Sequence, residues 1–194
     1  MTPEELDRAQ SRVINDMAGQ VNGNIMGTIG LEALEMIKKR VIKTGTDAEG
    51  QKYKPYSTKK MLANRAGMNV SAYNKIASSK AKRKELKWVT IDSHKLFEIP
   101  GGYKQFRELH GKQTAFVDFS FSNDMWNNIT LISKASDHNN GTAIIGTKDK
   151  IQNAKLEGNT KRRGDILDLS NKEQDELKED FNLGVLRIFK NNGL

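Results

Sequence analysis

Phe116-Val-Asp-Phe-Ser-Phe-Ser-Asn-Asp-Met-Trp-Asn-Asn-Ile129 changes its apolar period part-way along. Val117, Phe119 and Phe121 share one parity and are apolar, whereas Asp118, Ser120 and Ser122 share the other and are polar. A period of two predicts a half-buried strand with the Val117/Phe119/Phe121 face inward. At Ser122 the pattern breaks. Serine followed by Asn123, Asp124, Met125 and Trp126 reads as an N-cap and a short helix, and Ile129-Thr-Leu-Ile132 as the next strand. A plain hairpin with an irregular loop is the alternative reading. From this unit outward, Val117, Phe119, Phe121, Ile144, Phe181 and Val185 are the expected core.

The 194 residues suit one domain, and the 36% hydrophobic content and mean hydropathy of −0.68 predict a small apolar core for that length. Cysteine is absent, which excludes disulfides and thiolate metal sites. The acidic start, Thr2-Pro-Glu-Glu-Leu-Asp7, is unlike a signal peptide, and no apolar run approaches membrane-spanning length, so a soluble protein made in the cytoplasm is expected. The formal charge of +8 is unevenly spread. Residues 1–50 carry 6 Lys/Arg against 8 Asp/Glu, residues 51–112 carry 15 against 4, and residues 113–194 carry 11 against 12. Basicity belongs to the middle of the chain.

Thr2, Pro3 and Glu5 can cap a helix whose apolar residues recur from Leu6 through Ile29 and on through Leu34, Ile37 and Val41. Gly19, Gly23, Gly27 and Gly30 interrupt it, each costing about 1 kcal/mol in a helix interior. Either another backbone approaches this stripe, as a neighbouring subunit would, or the helix breaks between Gly19 and Gly30; the number of glycines favours the break. Gly45 suits a helix C-cap and Gly50 a turn. The acidic residues near them lack calcium-loop spacing. Residues 57–87 read as polar, basic and irregular; Lys80, Lys82, Arg83, Lys84 and Lys87 could neutralise phosphates, or form a solvated linker or a surface for an acidic partner. A strand at Trp88–Ile91, a linker through Pro100-Gly-Gly102 and a helix with Tyr103, Phe106 and Leu109 stopped by Gly111 follow. Further on, the pattern predicts a strand over Thr142–Thr147 and a helix capped by Thr147 that ends near Gly158. The loop Asn159–Gly164 holds Lys161, Arg162 and Arg163, and a capping box, Ser170-Asn-Lys-Glu173, opens the last helix with Leu177, Phe181, Val185, Leu186 and Phe189.

No pattern of catalytic residues emerges. His94, His110 and His138 lie in separate segments, and Asp165 with Asp168 reads as an ion-paired turn rather than an acid/base dyad. A non-enzyme without metal or cofactor is expected. Fold class is expected to be α+β: a long N-terminal helix and C-terminal helices on a small antiparallel sheet, with a long irregular basic middle segment. The expected layout is a single domain over 1–194, with a helical region at 1–43, an extended basic insertion and linker at 44–112, and an α+β core at 113–194.

Val117-Asp-Phe-Ser-Phe-Ser-Asn-Asp-Met125 with Ile129 resembles the strand-Thr-Gly-x-Met/Leu-x-x-x-Ile signature of the virion-morphogenesis or neck proteins of tailed bacteriophages, also labelled tail-completion or minor tail components. The resemblance extends through Ile144-Ile-Gly146, Ala154-Lys-Leu-Glu-Gly158, Lys161-Arg-Arg163 before Ile166-Leu167, Leu169-Ser-Asn-Lys-Glu-Gln-Asp175, and Gly45-Thr-Asp-x-x-Gly50 before Tyr53-x-Pro-Tyr56. Asn123 replaces the family's usual glycine, a substitution that left-handed backbone angles tolerate, and the arginine pair lacks the family's adjacent proline and phenylalanine. The resemblance implies a structural subunit of the virion neck or tail, made in the bacterial host cytoplasm. It further implies a homo-oligomeric ring, expected as a hexamer, between the head connector and a tail terminator or tail tube protein, with packaged DNA as a possible contact and no membrane. Lys80, Lys82, Arg83, Lys84, Lys87, Lys161, Arg162 and Arg163 are the candidate partner- or DNA-facing residues. The alternative is a basic nucleic-acid-binding protein acting through residues 52–87.

Overall fold

A computed structural model describes the chain outside residues 1, 3–7, 9, 10, 13, 16, 17, 20–24, 65–87, 92, 93, 121, 137–140 and 192–194. The fold is α+β, with helices toward both ends of the chain and small antiparallel sheets between them. Two compact units emerge, one formed by residues 52–121 and the other by residues 1–51 and 122–194.

In the discontinuous unit, helix α1 (Met26–Thr44) buries Gly30, Ala33, Leu34, Ile37 and Val41. Their spacing of three or four residues places them on one helical face, as the apolar period predicts. That face packs on the two-stranded sheet of β4 (Thr130–Ser136) and β5 (Gly141–Gly146) and on α5 (Asn171–Asn191). Strands β4 and β5 pair antiparallel, Leu131 opposite Ile145, with a bulge between Leu131 and Ser133. Gly30 is where helix and sheet meet most closely: a Cβ there would lie 2.8 Å from Leu131 Cδ1 and 2.9 Å from Ala143 Cβ. At Gly30 the close neighbour is therefore this chain's own sheet, and the helix does not break there as the favoured reading allowed. Helix α1 also runs unbroken through Gly27 and Gly30; the cap at Thr2–Glu5 and any break between Gly19 and Ile25 fall on residues outside those described.

Gly45, with φ 65°, ends α1 by donating its N–H to Val41 O at 3.0 Å, and Gly50 turns with φ 79°. Both positions match the sequence reading. Helix α3 (Asp124–Asn128) is short, as expected, and buries Met125 and Trp126. Its N-cap differs: Asn123 occupies it with φ 65°, while the Ser122 hydroxyl donates to Asp124 Oδ2 at 2.6 Å. Helix α4 (Lys150–Arg163) likewise starts two residues later than Thr147 would cap it. The Asp149 carboxylate accepts the Ile151 and Gln152 N–H groups, and Thr147 Oγ1 accepts only the Asp149 N–H. It also runs past Gly158 to Gly164, so the expected loop at 159–164 is helix; Gly158, a residue with poor helix propensity, does not stop it.

The capping box of α5 forms as read. Glu173 N–H donates to Ser170 Oγ at 3.3 Å, and the Ser170 N–H donates to Glu173 Oε2 at 2.8 Å. Ser170→Ala removes one half of this exchange and is expected to cost about 1 kcal/mol. Chemical denaturation with an unchanged midpoint in that variant would contradict the capping role.

The 52–121 unit holds β1 (Met61–Asn64), β2 (Trp88–Ile91), β3 (His94–Ile99) and α2 (Gly102–Leu109). The sheet is antiparallel in the order β1-β3-β2, with Ala63 and Trp88 both paired to Phe97. Ala63, Phe97, Ile99 and Phe106 form its apolar core, with Met61, Tyr103 and Leu109 packed against it. Two expectations are corrected here. Met61–Asn64 is a strand inside the segment read as irregular, and His94–Ile99 is a central strand where a linker was expected. Four and six residues are too few for a clear periodicity signal, yet Phe97 and Ile99 alternate inward once a partner strand lies on each side. Units therefore divide after Gln51 and after Phe121, and part of the 44–112 insertion has a core of its own.

Residues 116–120 are not a strand. Asp118 accepts the N–H of Ser120 at 2.9 Å through its own Oδ1, and Phe119 sits between them at φ 51°. A side chain that bonds its backbone two residues on offers the chain a turn in place of a ladder. The parity reading also fails in burial: Asp118 is buried along with Val117, whereas Phe119 is half-buried. Ile144 is 48% exposed, so it leaves the expected core, and Phe181 and Val185 are half-buried on α5 in the other unit from Val117.

Candidate functional site

Two polar clusters are built deep enough to shape their surroundings. In the 52–121 unit, Arg107 is 1% exposed. Helix α2 carries it, and all three guanidinium nitrogens are engaged: Nε to Gln113 O at 3.1 Å, Nη1 to Ser120 O at 2.9 Å, and Nη2 to both Asp118 oxygens at 3.0 and 3.2 Å. The guanidinium carbon also lies 4.4 Å from the centre of the Tyr56 ring. Tyr56 donates its hydroxyl to Asp118 Oδ1 at 2.7 Å and accepts the Asp118 N–H at 3.1 Å. Gln113 Nε2 completes the set on Asp118 Oδ2 at 2.7 Å. Burial and the hydrogen bond to Asp118 push the Tyr56 hydroxyl far above its ordinary value of 10.0, so it remains a donor. The network clamps loop 113–120 to α2.

In the other unit, Arg40 donates Nε to Glu173 Oε1 at 2.9 Å, Nη1 to Thr46 O at 2.9 Å and Nη2 to the main-chain oxygen of Asp168. Glu173 thus serves two partners, one oxygen for Arg40 and the other for the α5 cap. Burial opposes its charge, but the bonds from Arg40 and Ser170 outweigh it and hold the carboxyl below its ordinary 4.5. A depressed folded value means that Glu173 contributes stability above pH 4.5 and loses it as pH falls through the lower folded value. Glu32, raised by burial and by Asp180 and Glu35, and Asp168, raised by burial and by Asp165 and Glu49, act in the opposite sense, gaining stability on acidification. The stability difference between wild type and Glu173→Gln should therefore shrink on acidification through that range. Urea midpoints measured from pH 6 downward check this, and a pH-independent difference would contradict it.

Of the sequence-selected partner- or DNA-facing residues, only Lys161, Arg162 and Arg163 fall among the described residues. Lys80, Lys82, Arg83, Lys84 and Lys87 lie outside the described residues. Lys161, Arg162 and Arg163 occupy the last turn of α4 rather than a loop, where cations favour the negative end of the helix dipole. Lys161 and Arg162 are exposed there, and Arg163 is half-buried. His110 turns Nδ1 toward Phe106 O at 2.8 Å and its ring sits 4.3 Å from Phe106, which makes it part of the α2 terminus. The Asp165 carboxylate accepts the Leu167 N–H at 2.9 Å, and the bond from Arg40 goes to the Asp168 carbonyl, so the turn is held by bonds between side chains and the main chain. Among the described residues, no group of three or more His, Asp or Glu side chains could hold a metal ion, and no helix is long and apolar enough to cross a membrane.

What the sequence missed is an outward apolar row. Of the α5 residues expected to face inward, Leu177 is buried and Phe181 and Val185 are half-buried, but Leu186 is 62% exposed and Phe189 40%. With Leu183 at 45% exposed they sit three residues apart along one side of the helix. The signal lay in the helix itself: Leu183, Val185, Leu186, Ile188 and Phe189 are more apolar residues than a single buried face can take. Comparison of the chain with protein-family models, curated proteins and solved structures finds no match.

Proposed function

We propose that this chain is a non-enzymatic structural subunit of the head–tail junction of a tailed bacteriophage, assembling with copies of itself into a ring, expected as a hexamer. The ring would join the head connector on one side and a tail terminator or tail tube protein on the other. The sequence resemblance around 117–129 and 144–175 motivates the reading, and the observation that carries it is the exposed row Leu183, Leu186 and Phe189 on α5. Apolar side chains aligned on one helix are surface that association removes from water, at about 25 cal/mol per Å². A repeated contact between different faces of identical subunits closes into a ring when its rotation permits.

Native mass spectrometry of the purified chain is expected to give one closed multimer, and Leu186→Lys to shift it to smaller species by at least tenfold weaker association, with an unchanged circular-dichroism spectrum. A monomer at all concentrations up to about 100 μM, or a multimer indifferent to Leu186→Lys, would overturn the ring. Antibody against the chain should label the head–tail junction of virions; labelling elsewhere on the particle would overturn the assignment to the neck.

A further inference from the structure

We infer that the 52–121 unit binds the phosphate backbone of double-stranded nucleic acid. Charge divides unevenly between the two units, much as it does along the sequence. Residues 52–121 hold 15 Lys/Arg against 5 Asp/Glu, and the remaining 124 residues hold 17 against 19. Of the five acids, Asp118 is consumed in the core by Arg107, Glu98 lies 3.4 Å from Lys60, and Glu108 accepts the Thr114 hydroxyl. Among the described residues of the unit, eight Lys/Arg stand against Glu98, Glu108 and Asp118, an excess whose positive field a partner of dense negative charge relieves.

Several described cations are brought together by the fold. The main-chain N–H of Lys104, in the first turn of α2, donates to Ser57 O at 3.0 Å. Gly102, at φ 65°, lets the same segment approach so closely that a Cβ there would lie 2.3 Å from Lys59 O. The 57–60 segment is thereby fastened over the start of α2, which brings the backbone of Lys59 beside the turn that carries Lys104; Lys60 follows, with its ammonium 3.4 Å from Glu98, and Lys52 and Lys54 precede the segment in sequence. All five side chains are exposed. Lysine ammonium groups on flexible stems act as point charges, suited to phosphate oxygens rather than to bidentate reading of base edges. The aromatic rings of Tyr53, Tyr56, Phe97 and Phe106 are buried in this unit, committed to its core rather than to stacking on unpaired bases. Duplex backbone, bound without sequence preference, is the partner these features fit. This places the nucleic-acid contact on a folded module that includes α2, beyond the 52–87 segment singled out by charge runs alone, and it does not rest on the ring reading.

Fluorescence anisotropy of the full chain with a labelled 25-base-pair duplex tests it. If all five lysines meet phosphates, binding should weaken roughly 500-fold between 50 and 200 mM salt, from a log–log slope of about 0.9 per phosphate. The variant Lys52→Gln, Lys54→Gln, Lys59→Gln, Lys60→Gln and Lys104→Gln should reduce that slope by about 4.5, five lysines' share, at an unchanged melting temperature. A smaller reduction, tighter binding to a single strand of the same length, or no binding at 50 mM salt overturns the inference. Native mass measured on the same samples separates this from the assembly proposal. A multimer that ignores duplex leaves the ring and removes this inference, a monomer that binds duplex does the reverse, and a multimer that dissociates in the variant without ever binding duplex assigns the lysines to an acidic protein surface instead.

Discussion

Replacing Arg107 by methionine is expected to destabilise the 52–121 unit by about 3–5 kcal/mol, because removing one partner of a buried pair leaves the other uncompensated. Asp118 would keep its bonds from Tyr56, Gln113 and the Ser120 N–H but lose the buried guanidinium that pairs with both its oxygens, while Gln113 O and Ser120 O would each lose a donor. Methionine matches the length of the arginine stem, so packing changes little and the loss is electrostatic. The companion change Asp118→Asn removes the stranded charge, and the double variant should be less destabilised than the sum of the singles. Denaturant titration of all four species gives the coupling energy, and a sum that is simply additive would show that the pair does not act as a unit. Because this cluster is confined to the 52–121 unit, a probe there should respond before one in the other unit.

Trp126→Ala carries the second large expectation, about 3–5 kcal/mol for emptying a buried aromatic site. Trp126 is 2% exposed, and it shares helix α3 with Met125, whose sulfur lies 3.8 Å from Asn159 Nδ2 on α4. A helix as short as α3 has almost no stability of its own, so its place depends on these buried side chains. Truncating Trp126 therefore removes both apolar burial and the anchor for the turn that leads into β4. Ile144→Ala is the contrast: at 48% exposure it should change stability by no more than about 0.5 kcal/mol, although alternation had marked it for the core. Thermal melts of the two variants test the placement together. Equal effects would mean that burial on this side of the fold has been assigned to the wrong residues.

The sequence by itself determined the elements whose causes are local. The Ser170/Glu173 box, the glycine stops at Gly45 and Gly111, the left-handed tolerance of Asn123 and the apolar face of α1 all depend on residues within a turn or two of each other. The α+β class followed from them. Tertiary structure alone decided the rest, since it depended on partners distant in sequence. Asp118 looked like the solvent side of a strand; it is buried because Arg107, eleven residues earlier, and Tyr56, sixty-two residues earlier, satisfy its charge. No periodicity encodes that compensation, and once it exists the Asp118 turn at Phe119 costs less than an extended ladder would. β1 and β3 were equally hidden, because four- and six-residue strands of mixed polarity become recognisable only when neighbouring strands and α2 cover Phe97 and Ile99. The outward row on α5 follows the same logic. Its apolar residues exceed what one face buries, and only the position of α1 and the sheet selects Leu177 for the inside and Leu183, Leu186 and Phe189 for the outside.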